Sequence, residues 1–293
     1  MNHAEQLSWE RRWGRPAAAA CLITIALVVA YQVLFLSVVF SGGPDTDAER
    51  LLAIDGEAGA FLASSVMQAL SYVTLASVLW YLLQVTRYRR KELPGWSVYL
   101  VWLGAALLVI AGLLGTFDRL DIADQFASGG PTEGRAAERR ADRLIDDQGA
   151  ALPSALGLAG TLALAFSLVI VCLNALRAGV LSRFLGIIGI ILGALYVLPF
   201  FGGPFIVQIF WLGALTAVFL GFWPGGRGPA WDSGEAQPWP SFAETRQRAV
   251  RERVERGMAA EPAAEPDSGD GADPGAGRRA GGGGPARRKR KRR

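Results

Sequence analysis

The sequence predicts an all-α fold: a polytopic transmembrane helix bundle of about six spans, ending in a mostly disordered basic C-terminal tail. Three observations carry this prediction. Hydrophobic residues make up 51% of the 293 positions and charged residues only 19%, a balance that points to lipid contact. The charges are also segregated, leaving six apolar stretches of roughly 18–25 residues, which at about 1.5 Å per residue match roughly 30 Å of hydrocarbon. Finally, the basic residues concentrate on alternate connections, as expected of a chain that crosses a bilayer repeatedly.

The first span covers residues 17–40 and follows a cytoplasmic N-terminal segment, residues 1–16, that carries Arg11, Arg12 and Arg15. Its apolar run exceeds the roughly 7–15 residues of a signal-peptide core, and no Ala-x-Ala site follows Phe40, so it predicts an uncleaved signal anchor. Residues 41–59 form an acidic connection containing Asp45, Asp47, Glu49, Asp55 and Glu57. The second and third spans, 60–85 and 98–117, are separated by Arg87, Arg89, Arg90 and Lys91. After the third comes an acidic loop, 118–151, in which Ala137, Ala141, Leu144 and Ile145 recur at helical spacing. That spacing predicts a short amphipathic helix over 132–147, lying on the membrane or capping the bundle.

The fourth span covers 152–176. The last two, 184–201 and 205–222, are joined only by Phe201-Gly202-Gly203-Pro204, a break in one long apolar stretch. At about 18 residues each they are near the minimum for a crossing, which leaves a re-entrant pair as the alternative reading. Residues 223–258 form a juxtamembrane segment rich in Pro, Gly and Trp, followed by a basic amphipathic helix. That helix is announced by the capping-box pattern Ser241-Phe242-Ala243-Glu244 and by Ala249, Val250, Val254 and Met258 on one face. Residues 259–293 are too poor in apolar side chains to fold, and they end in a polybasic run.

Of the 30 Lys and Arg residues only Arg50, Arg119, Arg135, Arg139, Arg140 and Arg143 fall on the side opposite the termini. The positive-inside bias therefore places both termini in the cytoplasm. Trp96, Trp102 and Trp223 fall near span ends, where an amphipathic ring favours the headgroup level. Arginine outnumbers lysine 27 to 3, which we read as base-composition bias of a bacterial genome.

The same residues exclude most chemistry. Cys21 and Cys172 lie in apolar runs and His3 is the only histidine, so no ligand set for zinc or haem exists. No phosphate-binding glycine loop or hydrolase motif is present. The reading is therefore no enzyme, no catalytic residue, no cofactor and no metal. Asp118, Asp121 and Asp124 read as a solvated acidic helix end. No Asp, Glu, Lys, Arg or His occurs inside a span away from its ends, which argues against ion-coupled transport.

What polarity the spans hold is neutral. Gln68, Asn174 and Gln208, with the hydroxyl row Ser64, Ser65, Ser71, Thr74 and Ser77, mark either a path for a small neutral solute or interhelical hydrogen bonds worth on the order of 1 kcal/mol each. Gly112 and Gly115, and the GxxxG pair Gly189 and Gly193, predict close helix contacts. The terminal cations Arg287, Arg288, Lys289, Arg290, Lys291, Arg292 and Arg293 are held near the bilayer by the spans. They predict contact with anionic lipid head groups in preference to nucleic acid.

The run from Leu181 through Ser182, Arg183, Phe184, Leu185 and Gly186 to Gly189, the Phe210-Trp211-Leu212-Gly213 run, and the stretch from Phe222-Trp223-Pro224 to Pro229-Ala230-Trp231 resemble a family of uncharacterised bacterial six-helix integral membrane proteins. The resemblance covers roughly residues 60–240. It implies a six-helix bundle and carries no activity or site residue. The expectation is thus a non-enzymatic protein of the bacterial inner membrane, an interaction or assembly factor with a membrane or cytoplasmic protein partner. The alternative is a channel or carrier for a small neutral solute.

Overall fold

The computed structural model describes residues 3–40, 46–147, 151–198, 204–224 and 226–239, and beyond them only 247, 250–252 and 254. The chain divides into two compact units, Met1–Trp239 and Pro240–Arg293. Of the second unit the described residues are helical and fall on the stretch read as a basic amphipathic helix. Its capping-box residues 241–244 and the polybasic residues 287–293 lie outside the described residues.

Among the described residues every regular element is a helix: α1 His3–Phe40, α2 Asp47–Gly56, α3 Ala58–Arg89, α4 Trp96–Ser128, α5 Gly134–Asp147, α6 Ala151–Arg177, α7 Arg183–Val197, α8 Phe205–Leu220 and α9 Pro229–Ser233. The all-α membrane-type bundle is therefore the observed fold. Four helices, α1, α3, α4 and α6, are long and apolar enough to cross a membrane. The two late stretches form shorter apolar helices of 15 and 16 residues, about 22–24 Å at 1.5 Å per residue against roughly 30 Å of hydrocarbon. Residues 199–203 between them lie outside the described residues.

The helices differ from the expected spans mainly by overrunning them. α1 does not begin at Ala17 but runs through Pro16 from His3. Proline removes one hydrogen bond from a helix interior, and here tertiary packing holds the helix on both sides of it. Before Pro16, Trp9 packs on Trp80 and Tyr81; after it, Ala17, Ala18 and Cys21 enter the core. α4 likewise continues past Phe117 through Asp118, Asp121 and Asp124 to Ser128.

The acidic connection at 41–59 contains a further helix. α2 starts on a capping box in which the Thr46 hydroxyl accepts from the Glu49 amide and the Glu49 carboxylate accepts from the Thr46 amide. α5 forms where the spacing predicted it, with Ala137 and Ala141 buried. Arg140 ties it to the end of α4 by donating to the Phe126 carbonyl at 2.7 Å.

In ring order the apolar helices run α1, α3, α4, α6, α7, α8, each packed against the next, and α8 closes back on α1. α3 also reaches α6 across the interior. Two apolar cores result. The larger fills the end of the bundle that carries the start of α1 and the end of α8, hereafter the basal end, and includes Leu79, Leu168, Trp211 and Phe219 with no solvent exposure. The smaller joins α2 and α5 to the outer ends of α1, α3 and α4 around Phe61, Phe126 and Ala141.

Small residues set the tightest approaches. A Cβ at Gly104 of α4 would lie 2.8 Å from the Leu164 amide nitrogen, and one at Gly160 of α6 would lie 2.9 Å from Leu108. The GxxxG glycines do the same between α7 and α6, where a Cβ at Gly193 would come within 2.9 Å of the Ala165 carbonyl oxygen. Gly112 corrects the sequence expectation. A Cβ there meets nothing within 4 Å, because the α4 backbone at this level borders open space.

Candidate functional site

That open space is a cavity of about 870 Å³ between the two cores. Its wall comes from the outer halves of α1, α3 and α4 and the start of α6, and α2 and α5 cap it. The lining is amphipathic. Phe35, Ile54, Phe61 and Leu108 supply apolar surface, whereas Tyr31, Ser65, Gln68, Tyr72, Thr116 and Ser154 supply neutral polar groups. Charge is confined to the capped rim, where Asp47 and Arg50 pair at 2.9 Å and Asp118 and Arg119 stand nearby.

Toward the basal end the lining stops at Tyr72 on α3 and Leu108 on α4. Leu75, Leu79 and Leu164 below them have no exposure, so among the described residues the cavity is closed at its floor. Gln68 sits at that floor. Its Oε1 is buried and makes no hydrogen bond of standard geometry, an arrangement that costs about 1–3 kcal/mol unless a ligand or water supplies a donor.

The three amides singled out in the sequence are therefore not brought together. Gln68 lines the cavity. The Gln208 carbonyl instead accepts from Tyr196 at 3.0 Å, joining α8 to α7, and Asn174 donates to the Ile170 carbonyl of its own helix at 2.8 Å. The hydroxyl row divides in the same way. Thr24 donates to Thr74 at 2.8 Å and Thr116 to Ser65 at 2.7 Å between helices, whereas Ser64, Ser71 and Ser77 bond carbonyls of α3 itself.

A second polar arrangement, at the basal end, was not legible in the sequence. Arg89 and Glu10 form a two-pronged ion pair at 2.6 and 2.9 Å, with the two side chains 0% and 3% exposed. Two further Arg89 donors are taken by the Ala230 and Val85 carbonyls, and the Glu10 backbone carbonyl accepts from Tyr81 at 2.9 Å. The lid over this pair is the segment after α8. Arg89 and Arg227 both lie over the Trp231 ring, at 5.6 and 5.7 Å from its centroid.

Trp231 donates to the Val180 carbonyl and Trp239 to the Gly179 carbonyl, latching the lid onto the turn between α6 and α7. Gly179 has φ of +73°, and a Cβ there would run into the Gln237 carbonyl. Gly179→Ala is expected to release Trp239 from the turn. An increase in the solvent quenching of Trp239, isolated as the fluorescence difference between proteins with and without Trp239→Phe, would register it, and unchanged quenching would contradict the latch. Glu10 and Arg89 escaped sequence reading because each sits at the edge of a span, where a charge usually faces water; a single sequence carries no signal that pairs them.

Among the described residues no group of three or more His, Cys, Asp or Glu side chains converges. Residues 17–224 match a family described as a domain of unknown function, DUF4386. No curated protein matches the chain, and no solved structure does.

Proposed function

The chain belongs to the DUF4386 family, and since that description assigns no activity we propose from the site itself that it is a non-enzymatic, membrane-embedded interaction protein holding a small amphipathic molecule in the cavity above Gln68. The observation that carries this reading is the form of the cavity: about 870 Å³, apolar with neutral polar groups, and closed at its floor. Pockets of a few hundred Å³ with few polar groups on an apolar wall suit ligands of this kind. The buried, unpartnered Gln68 Oε1 would accept a hydrogen bond from the ligand's deep end. A closed floor favours binding over conduction, and Asn174 and Gln208 are engaged elsewhere.

In this reading the host membrane is the bacterial inner membrane, with both termini cytoplasmic as the Lys and Arg distribution argues. A membrane or cytoplasmic protein partner would dock at the terminal side, and the polybasic residues 287–293 would rest on anionic lipid. Deleting those seven residues is expected to leave insertion intact and to speed protease cleavage near Gly281 in inverted vesicles; equal cleavage rates would count against tail contact with lipid.

The cavity is tested by filling it. Gly112 borders it with free space at its Cβ, so Gly112→Phe inserts a ring without disturbing a helix contact. Native mass spectrometry of protein extracted in mild detergent should show a retained small molecule on the wild type and on Gly112→Ala, and none on Gly112→Phe. A wild type that retains nothing and binds no added neutral amphiphile would end this reading.

A further inference from the structure

At the basal end a second pocket, of about 490 Å³, is lined by Arg11, Arg12, Arg15 and Arg227 over Phe219 and Leu220. Four guanidinium groups thus converge where the apolar part of α1 begins and α8 ends. None takes part in the ion pairs found among the described residues, and the nearest carboxylate in sequence, Glu10, is committed to Arg89. The cluster is built rather than a loose charged face. Arg227 is anchored by donating one terminal nitrogen to the Phe219 carbonyl. It also packs against α1 at Gly14, where a Cβ would lie 3.5 Å from its guanidinium. Its Nε is buried and has no acceptor, although a buried donor of this kind is ordinarily satisfied.

We propose that this pocket binds the phosphate of an anionic phospholipid, with the guanidinium groups around the phosphodiester and the first methylenes of the acyl chains on Leu220. Arginine presents a planar fork of donors that matches phosphate oxygens. Basic pockets between transmembrane helices at the membrane face are the recurrent way in which such head groups are held. Leu220, 38% exposed at the pocket, is open to chains from the surrounding leaflet and distinguishes a lipid from a free phosphate, whereas Phe219 is fully buried and offers only its backbone carbonyl, already taken by Arg227. The pocket lies at the opposite end of the bundle from the cavity and does not depend on it. It is also distinct from the terminal run, residues 287–293.

The test uses the full-length protein in mild detergent, delipidated and then titrated with phosphatidylglycerol, phosphatidylcholine or inorganic phosphate, and read by native mass spectrometry. Phosphatidylglycerol should bind at least tenfold more tightly than phosphatidylcholine. The Arg11→Gln, Arg12→Gln, Arg15→Gln triple variant, whose side chains are exposed and whose loss should leave the fold intact, should abolish that preference. Neutralising residues 287–293 should preserve it, and millimolar phosphate should not displace the lipid. Equal retention by the triple variant, dependence of the preference on residues 287–293, or displacement by phosphate alone would each overturn the assignment. Arg227→Lys, which keeps the charge but loses the fork, should fall between wild type and triple variant.

Discussion

Glu10→Ala should lower the thermal unfolding midpoint of the detergent-solubilised protein by on the order of 10 °C, the shift that corresponds to about 3–5 kcal/mol in a domain of this size. The loss comes less from the missing attraction than from what stays behind. Arg89 would keep its bonds to the Ala230 and Val85 carbonyls and would hold an uncompensated guanidinium with a fully buried side chain. Arg89→Ala should be as damaging, since it strands the Glu10 carboxylate and the Ala230 carbonyl together. The double variant Glu10→Leu, Arg89→Met should recover much of the loss, because two apolar side chains of similar volume bury no charge. Comparing the singles with the double separates a buried pair from two independent packing residues. Additive losses would contradict the account given for this site.

Gly104→Val should cost about 3 kcal/mol or more, at the upper end of what overpacking costs, whereas Gly112→Val on the same helix should fall within about 0.5 kcal/mol of wild type. The two glycines are two turns apart and look alike in sequence. A side chain at Gly104 meets the α6 backbone at Leu164 and Ala163, which cannot rotate away, so α4 and α6 must separate along their contact. A side chain at Gly112 enters the cavity. Melting curves and monodisperse yield of both variants, prepared side by side, check this contrast. A similar drop for both would mean that α4 packs evenly along its length and that the cavity is absent.

The membrane character was legible because it rests on run length and charge placement, which need no knowledge of contacts. The helix over residues 132–147 was legible for the same reason, since Ala137, Ala141, Leu144 and Ile145 state their own periodicity. α2 was legible too, in the capping box that Thr46 and Glu49 form ahead of Leu51, Leu52 and Ile54, but the five acidic residues of the segment marked it only as a connection. The functional features were of another kind. Whether Gln68 meets a cavity or a partner, and whether Glu10 faces water or Arg89, depends on residues tens of positions away. Local pattern carries no such information. The same limit governed some of the glycines, for Gly104 and Gly160 pack against the facing backbone yet stand in no recognisable motif.

The closure of the ring by α8 on α1 orders events during synthesis. α1 precedes α8 in the chain, yet one of its flanks waits for that partner, completed about 200 residues later, and the Glu10–Arg89 pair waits longer still for Trp231 to cover it. Until then the basal end stays polar and incompletely packed. A chain that stops after α8 would hold all of its membrane helices and still present that unfinished end. The short segment behind α8 therefore completes a buried ion pair whose acidic half lies far earlier in the chain, so the last contacts to form are among those that secure the start of α1.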